Sequence, residues 1–302
     1  IGLKDIVDTK DMPTQRGTSI FSGRQPEADA RLVECLREAG AVIMGKTKTT
    51  ELAFMHPTDT TNPSDASRTP GGSSSGSAAA VAARQVPLAI GTQTGGSVIR
   101  PASHCGVYGF KPTRGMISRH GVCRTSVSLD HVGGFANALE DIALLTDVVA
   151  GYDQRDPASF ARPRADMLSG VQAEVPVEPN IAWLDFPFND RLDEDALEGL
   201  NAVIEGLGGR VERFSVSPQL ADLITVHKTI YDYEIRQNMA EISNAQWPEL
   251  SPEMQSAISR GGDISEAQYE DALAVMASAQ GFFAEYFNEF DAILAPAATG
   301  EA

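Results

Sequence analysis

Two glycine-rich turns that carry serines lie in the first third of the chain, GGSSSGS at 71–77 and TGGS at 94–97. Glycine allows a backbone to approach a ligand closely or to adopt conformations closed to larger residues. A run of small residues at 78–86 and a short apolar segment at 87–92 separate the two turns. Either turn alone is typical of a flexible surface loop, whereas the pair, flanking a closely packed helix and a strand, indicates a site.

Helical and strand patterns alternate around these turns. Residues 27–39 have the spacing of an amphipathic helix that ends at Gly40. The predicted apolar face of this helix comprises Leu32, Val33, Leu36 and Ala39. Residues 41–47, AVIMGKT, are predicted to follow as a buried strand. Strand, loop and helix in this alternation predict an α/β fold with a largely buried sheet.

The second half of the chain continues the same alternation. Pro, Asp, Arg and Ala dominate residues 153–180, which are predicted to be a loop or linker. Further elements are predicted as strands at 181–186, 210–216 and 290–296, a helix at 195–207, and two or three additional helices.

Charge and cysteine content exclude several kinds of partner. Lys and Arg number 24 against 41 Asp and Glu, a formal net charge of −17, so we expect no direct contact with nucleic acid or anionic membranes. The cysteines, Cys35, Cys105 and Cys123, lie far apart and do not resemble a secreted disulfide framework. No apolar signal segment or run of about 18 apolar residues is present, so we expect a soluble, cytoplasmic protein.

Two short motifs suggest other chemistry. GAVIMGKT at 40–47 has the spacing of a phosphate-binding loop, but its four central apolar residues read as a strand and not as a phosphate cradle. GSSSG at 72–76 matches the nucleophile elbow of α/β-hydrolases around Ser74, which requires a preceding strand and a later acid and histidine. Residues 61–70 do not read as a strand. The candidates for that histidine are His104, His120, His131 and His227.

Other catalytic groups find little support in the pattern. The five histidines do not cluster with one another or with cysteine at ligand spacing, so we expect neither a metal nor another cofactor. Cys105 stands among apolar residues and is interpreted as a packed core thiol, not as a nucleophile.

Three longer segments resemble the amidase-signature family of serine hydrolases. They are PGGSSSGSAAAVAA at 70–83, GTQTGGSVIRPASHCGVYGFKPTRG at 91–115 and SLDHVGGFA at 128–136. The likeness extends from Lys4 to about Ala150, and FDAILAP at 290–296 resembles a later core strand of the family. It implies an α/β fold with a large, mixed, twisted central β-sheet covered by helices on both faces. Family members usually extend further in both directions, so we expect this fold to be incomplete at both ends.

The resemblance also implies a domain plan. We expect a single domain over 1–302. Within it, 1–150 would be the catalytic core, 151–290 a variable linker and helical region that shapes the substrate pocket, and 290–297 a returning core strand.

The resemblance further implies a Ser-Ser-Lys triad. By the family pattern Ser97 is the nucleophile, Lys4 the general base, and Ser73 the bridging serine, joined to Gly72 by a cis peptide bond. A serine hydroxyl is a weak nucleophile and needs an adjacent base. Lysine can serve as that base when burial lowers its pKa well below about 10.4. Ser73 would pass the proton from Ser97 to neutral Lys4 and later to the departing amine, and water would hydrolyse the acyl-enzyme on Ser97.

The second glycine turn supplies the expected oxyanion hole, formed by the N–H groups of Thr94, Gly95, Gly96 and Ser97. The chain departs from the family pattern near this turn. Gln93 stands where many members have Asp, and Ser75 where many have Gly. Arg100 follows Ser97 by three residues where many members have two, so no substrate contact is inferred for it.

These features predict an amidase that hydrolyses the carbon–nitrogen bond of small linear amides. An alternative is the amidase (glutaminase) subunit of a tRNA-dependent amidotransferase, whose partner would hold the aminoacyl-tRNA. SVIRP at 97–101 and GTQTGGS at 91–97 favour the stand-alone amidases. A catalytically silent relative is the third interpretation. The expected partners are a small-molecule amide and, in the assembly, a second copy forming a homodimer.

Overall fold

A computed structural model describes residues 1–163, 166–216 and 220–302. The strands in these residues are β1 (Gly2–Lys4), β2 (Gly45–Thr47), β3 (Leu88–Gln93), β4 (Tyr108–Phe110), β5 (His131–Ala136), β6 (Ile181–Asp185), β7 (Val211–Ser215) and β8 (Ala292–Leu294). The α-helices are α1 (Arg31–Glu38), α2 (Ser75–Ala82), α3 (Ile99–Cys105), α4 (Leu139–Val149), α5 (Met167–Gln172), α6 (Glu194–Leu207), α7 (Leu223–Asn238), α8 (Ala240–Gln246), α9 (Pro252–Gly262) and α10 (Glu266–Tyr286).

The chain divides into two compact units, the first formed by 1–173, 234–259 and residue 302, the second by 174–233 and 260–301. The first unit contains a five-stranded mixed sheet in the order β2-β1-β3-β5-β4. Strands β1, β2 and β3 are parallel, while β5 runs antiparallel to β3 and β4. The predicted α/β fold with a mixed sheet is therefore confirmed.

Helices pack on both faces of the five-stranded sheet, because successive strand residues point to opposite sides. Leu3 and Ile90 pack in one core cluster with residues of α1 and α4. Ala89 and Phe135 pack in another with residues of α2 and α3. The glycine turns at 71–77 and 94–97 thus lead into α2 and α3 on the same face of the sheet.

The second unit has its own parallel sheet, in the order β7-β6-β8. Ala182 pairs with Ile293, so the predicted strand near the end of the chain lies beside β6. Ala182, Leu184 and Phe290 form a small apolar cluster. The placement of 290–297 in a single domain over 1–302 stays a prediction.

Two of the predicted boundaries are wrong. Helix α1 begins at Arg31 and not at residue 27, because the Arg31 N–H donates to His120 O and not to a carbonyl one turn earlier. Ala39 is exposed beyond its end. The strand predicted at 41–47 is reduced to β2, because its pairing with β1 begins at Gly45. The exposed side chains of Val42 (70%) and Met44 (67%) contradict the expected buried strand.

The predicted loop at 153–180 contains the helix α5, and its residues 164–165 lie outside the described ones. The N–H groups of Met167 and Leu168 each donate to the carboxylate of Asp147 at 2.9 Å. A carboxylate at a helix N-terminus satisfies N–H groups that have no partner within the helix. Asp166 caps the same helix locally by accepting from the Ser169 N–H at 3.1 Å, a signal that the composition of 153–180 concealed, whereas the contacts to Asp147 come from about 20 residues earlier in the chain.

We expect Gly76→Ala to lower the free energy of unfolding by about 1–3 kcal/mol, a usual cost of overpacking. A Cβ at Gly76 would lie 2.4 Å from the backbone nitrogen of Lys48, so α2 must move away from the segment after β2. Urea unfolding of Gly199→Ala is the matched control, because Gly199 lies within α6 with nothing within 4 Å of an added Cβ. Equal unfolding midpoints for the two variants would contradict this expectation.

No described helix is both long and apolar enough to cross a membrane.

Candidate active site

Lys4 ends the short strand β1, which lies between β2 and β3 in the sheet. Its side chain is fully buried, with 0% exposure. The ammonium group Nζ donates to Ser73 Oγ at 2.7 Å and to Thr92 Oγ1 at 2.8 Å. The fold thus brings the first residues of the chain into direct contact with the first glycine turn and with the end of β3.

Burial lowers the pKa of Lys4 to about 7, because removal from water disfavours the charged form. The negative charge of Asp130 acts in the opposite direction and raises this pKa, but burial dominates. A substantial fraction of Lys4 is therefore neutral at neutral pH and can accept a proton.

The turn that carries Ser73 is held by its backbone. The Gly72–Ser73 peptide bond is cis, as the family resemblance implied. The Thr50 N–H donates to the Ser73 carbonyl at 3.2 Å. Arg100 Nη2 donates to the Gly72 carbonyl at 3.0 Å. These contacts fix the main chain on both sides of Ser73, whose side chain is buried.

Ser97 is buried at the end of the second glycine turn, two residues before α3. Among the described residues its hydroxyl makes no hydrogen bond, so the structure joins Ser73 to Lys4 but not to Ser97. Of the two contacts that the predicted proton relay requires, the structure has the one between Ser73 and Lys4 and lacks a hydrogen bond between Ser73 and Ser97. Catalytic hydrogen bonds are often long without substrate and tighten when it binds.

The second glycine turn presents N–H groups without protein acceptors. Among the described residues, the N–H groups of Gly95, Gly96 and Ser97 have no hydrogen-bond partner. Gln93 Oε1 instead accepts from the N–H groups of Val98 and Ile99, which follow the turn, at 2.9 and 3.0 Å. Gly96 has a φ of 112°, a conformation that side chains rarely adopt. The turn can therefore direct several N–H groups at one negatively charged oxygen.

The loop that precedes β5, residues 124–130, is hydrogen-bonded to this turn through Asp130. Its carboxylate accepts from Thr94 Oγ1 at 2.6 Å and from the N–H groups of Thr125 and Ser126 at 2.8 and 2.9 Å. The same loop is tied to α7, since Glu234 accepts from the Ser128 N–H at 3.0 Å. Burial raises the pKa of Asp130, and these hydrogen bonds act against that shift.

The rival nucleophiles have structural contacts. Ser74 Oγ donates to the Thr92 carbonyl at 3.2 Å and accepts from its N–H at 3.3 Å. No strand precedes Ser74 among the described residues 48–73, so a nucleophile elbow does not form there. Burial raises the pKa of Cys105 to about 11, which keeps its thiol protonated. The predicted core role of Cys105 matches its membership in an apolar cluster.

The sequence did not indicate Thr92 as a partner of Lys4, nor the contacts that Asp130 and Arg100 make. Asp130 lies within the SLDHVGGFA segment, which resembles the amidase-signature family but did not indicate a function for this residue. Thr92 gave no local signal, because its proximity to Lys4 depends on the pairing of β1 with β3.

The first unit thus holds a buried lysine–serine pair and two glycine turns on a mixed α/β sheet, an arrangement in keeping with the hydrolase class of enzymes. The chain belongs to the Amidase family, whose model matches residues 1–302. Its solved neighbours have the same amidase-signature fold.

Among curated proteins, a glutamyl-tRNA(Gln) amidotransferase subunit of Methanosarcina mazei is 46% identical over 190 residues, covering 59% of this chain and 40% of that protein. The corresponding subunit of Methanococcoides burtonii is 34% identical over 334 residues, covering 98% of this chain and 68% of that protein. The chain thus spans less than half of the first of these relatives.

Solved structures give a similar range of relatives. A glutamyl-tRNA(Gln) amidotransferase subunit of Thermotoga maritima has a TM-score of 0.84 and 30% identity, covering 100% of this chain and 68% of that one. A structure of 6-aminohexanoate cyclic dimer hydrolase complexed with substrate has a TM-score of 0.80 and 29% identity, covering 96% and 64%. A chain from a vestigial protein complex, related to the origins of an s-triazine catabolic enzyme, has a TM-score of 0.92 and 30% identity, covering 100% and 67%.

Proposed function

We propose that this chain carries the active site of an amidase that cleaves a carbon–nitrogen bond of a small amide through an acyl-enzyme on Ser97. The contact that carries the proposal is the 2.7 Å hydrogen bond between Lys4 Nζ and Ser73 Oγ. A fully buried lysine bound to a serine hydroxyl, with its pKa lowered to about 7 by burial, has the properties of a general base.

In the proposed reaction, Ser97 Oγ attacks the amide carbonyl carbon as its proton moves to Ser73 Oγ. Ser73 in turn gives its own proton to neutral Lys4. The N–H groups of Gly95, Gly96 and Ser97 stabilise the negative oxygen that develops on the substrate. Ser73 then protonates the departing amine and recovers a proton from Lys4. Water, activated through the same pair, hydrolyses the ester on Ser97 and restores the starting state.

An active-serine phosphonate tests this proposal. Such a reagent should modify the protein at one residue, which mass spectrometry of the digested protein should identify as Ser97. Modification at Ser74 would support the nucleophile elbow instead. The absence of any modification would support the catalytically silent relative.

A second candidate function is the glutaminase subunit of a tRNA-dependent amidotransferase. It is favoured by the names of the relatives from Methanosarcina mazei and Thermotoga maritima. The 6-aminohexanoate cyclic dimer hydrolase favours the small-molecule amidase about equally. Co-purification from the source cell separates the two. An amidotransferase subunit should recover partner proteins and should hydrolyse glutamine faster with them than alone.

The buried lysine sets the pH dependence of the proposed reaction. Protonation removes the lone pair that accepts the Ser73 proton, so we expect the amidase rate to fall as pH drops through about 7, the pKa of Lys4. Below that pH the fall should approach tenfold per pH unit. The measurement is the rate of phosphonate labelling of Ser97 from about pH 5 to about pH 9. A rate that is flat across this range would contradict Lys4 as the base.

A further inference from the structure

Two buried carboxylates bind the 124–130 loop. Asp130 belongs to the loop itself and is 8% exposed, and Glu234 on α7 is 3% exposed. The loop and both carboxylates lie in the first compact unit. Burial of a carboxylate is costly unless hydrogen-bond donors surround it. The donors that face each carboxylate therefore show what that carboxylate holds in place.

Glu234 accepts three hydrogen bonds from this loop. Its carboxylate accepts from the Ser128 N–H at 3.0 Å, from Ser128 Oγ at 2.5 Å and from Ser126 Oγ. One turn further along α7, Asn238 Nδ2 donates to the Thr125 carbonyl at 3.2 Å. The end of α7 thus binds both main-chain and side-chain groups of a loop that precedes it by more than 100 residues.

Ser126 connects the two carboxylates. Its hydroxyl donates to Glu234, and its N–H donates to Asp130 Oδ2 at 2.9 Å. Ser126 Oγ also accepts from the Leu129 N–H at 3.0 Å. Since Ser126 has 0% exposure, water does not replace these contacts. A change in the position of Ser126 therefore changes the position of Asp130.

Asp130 in turn holds the second glycine turn. Its Oδ1 accepts from Thr94 Oγ1 at 2.6 Å, the short distance of a hydrogen bond to an ionised acceptor. Thr94 directly precedes Gly95 and Gly96, whose N–H groups stabilise the negative oxygen in the proposed reaction. Glycines have no side chain that could anchor the turn. The direction of these N–H groups therefore depends on an anchored neighbour such as Thr94.

The middle of the loop has separate contacts. Arg114 Nη2 and Arg119 Nη1 each donate to the Val127 carbonyl at 2.8 Å. These two hydrogen bonds do not involve Glu234. Loss of Glu234 should therefore shift the serines of the loop without detaching the whole loop from the unit.

We propose that Glu234 is a positioning residue for the oxyanion hole, acting through Asp130 and Thr94 on the second glycine turn. This proposal rests on the amidase function proposed above and adds to it a residue of α7. Glu234 binds the loop and takes no part in the proton transfers. A misplacement of about 1 Å, even when caused far from the chemistry, can cost about 10²-fold in rate.

The rate at which a neutral active-serine phosphonate labels Ser97 tests the proposal at a pH well above 7, where Lys4 is neutral. A series of reagent concentrations separates the maximal labelling rate from the half-saturating concentration. Glu234→Ala should lower the maximal rate by about 10- to 100-fold. The half-saturating concentration should stay within about twofold, because the turn stabilises the charge that develops on the phosphonyl oxygen and not the bound reagent.

Glu234→Gln tests the hydrogen bonds apart from the charge. Its amide oxygen can still accept from the Ser128 N–H, and its amide nitrogen can donate to a serine hydroxyl. We expect this variant to recover most of the maximal rate. A side chain needed only for its charge would not be replaced by glutamine.

Asp232→Ala is the matched control. Asp232 is likewise a carboxylate of α7 with 3% exposure, but it accepts from Arg260 at 2.6 and 2.9 Å. Residues two apart on a helix do not share a face, so its loss should lower stability while labelling slows by no more than about twofold. Unfolding midpoints are compared for all variants. If Glu234→Ala does not fold, Glu234→Asp, one methylene shorter, replaces it with the same expected results.

A double-mutant cycle tests the route through Thr94. Thr94→Val removes the hydroxyl that Asp130 holds and keeps the branched shape of the side chain, and it should slow labelling by about 10-fold or more. If Glu234 acts through this hydrogen bond, the variant with both Thr94→Val and Glu234→Ala should match the slower single variant within about twofold. Losses that multiply would show two independent effects.

The outcomes separate this proposal from the function on which it rests. The positioning role is overturned, and the amidase proposal stands, if Glu234→Ala is labelled at the parent rate or if Asp232→Ala slows labelling equally. Failure of Glu234→Gln to recover the rate, multiplied losses in the cycle, or a change in the half-saturating concentration alone would overturn it as well. If Ser97 of the parent is not labelled at all, the proposed amidase function fails, and the role of Glu234 fails with it.

Discussion

Ser97→Ala should lower amide turnover by about 10⁴-fold or more and abolish covalent labelling by an active-serine phosphonate. Removal of the nucleophile of a serine hydrolase leaves only the rate enhancement from binding and from the oxyanion hole. The substitution is small, and Ser97 makes no side-chain hydrogen bond among the described residues, so little loss of stability is expected. Labelling with mass spectrometry, together with an amide-hydrolysis assay, measures both effects.

Ser74→Ala and Cys105→Ala are the matched controls for this experiment. Ser74 is buried, like Ser97, but bonds the backbone of Thr92, and Cys105 is a thiol with a pKa raised to about 11 by burial. Both variants should still be labelled at Ser97. Labelling that survives Ser97→Ala and disappears in Ser74→Ala would overturn the assignment of the nucleophile.

Lys4→Ala should lower the rate of amide hydrolysis by about 10²- to 10⁴-fold, the usual contribution of a general base. Lys4→Arg should fail as well, because arginine stays protonated and cannot accept the Ser73 proton. The rate of Ser97 labelling at a pH well above 7 is the most direct measurement, since the parent lysine is then neutral. A parent-like rate in Lys4→Ala would remove Lys4 from the mechanism.

Lys46→Ala provides the comparison for Lys4→Ala. Lys46 lies on the neighbouring strand β2, and burial lowers its pKa to about 8. Its Nζ donates to Thr14 Oγ1 at 2.7 Å and to the Val7 carbonyl, but it contacts neither serine of the proposed triad. Loss of this lysine should lower stability while retaining labelling at Ser97. Equal losses of labelling in the two variants would indicate a general effect of removing a buried lysine.

The sequence predicted the parts of the fold that depend on local patterns. Small residues at 78–86 predicted the helix α2, and the apolar segment at 87–92 predicted β3 nearly to its limits. The resemblance to a known family placed Lys4 beside Ser73, although 69 residues separate them. No local pattern could have done so, because that contact arises when β1 pairs with β3.

The features that the sequence did not predict share one cause, which is hydrogen bonding to backbone or side-chain groups distant in the chain. Helix α1 begins late because the His120 carbonyl accepts the Arg31 N–H, and the start of α5 makes two hydrogen bonds to Asp147 in addition to its local cap. The Thr92 hydroxyl reaches Lys4 through the sheet. Each partner lies at least about 20 residues away in the chain, beyond the reach of periodicity or composition.

The buried lysine also has an evolutionary consequence. Because burial lowers the pKa of Lys4 from its ordinary value to about 7, the unfolded chain binds the proton more tightly, and the lysine destabilises the fold at neutral pH by a few kcal/mol. This penalty disappears as pH rises from about 7 towards the ordinary lysine value of 10.5. An apolar residue at this position would escape the penalty, so a lineage without activity would gain stability by losing Lys4.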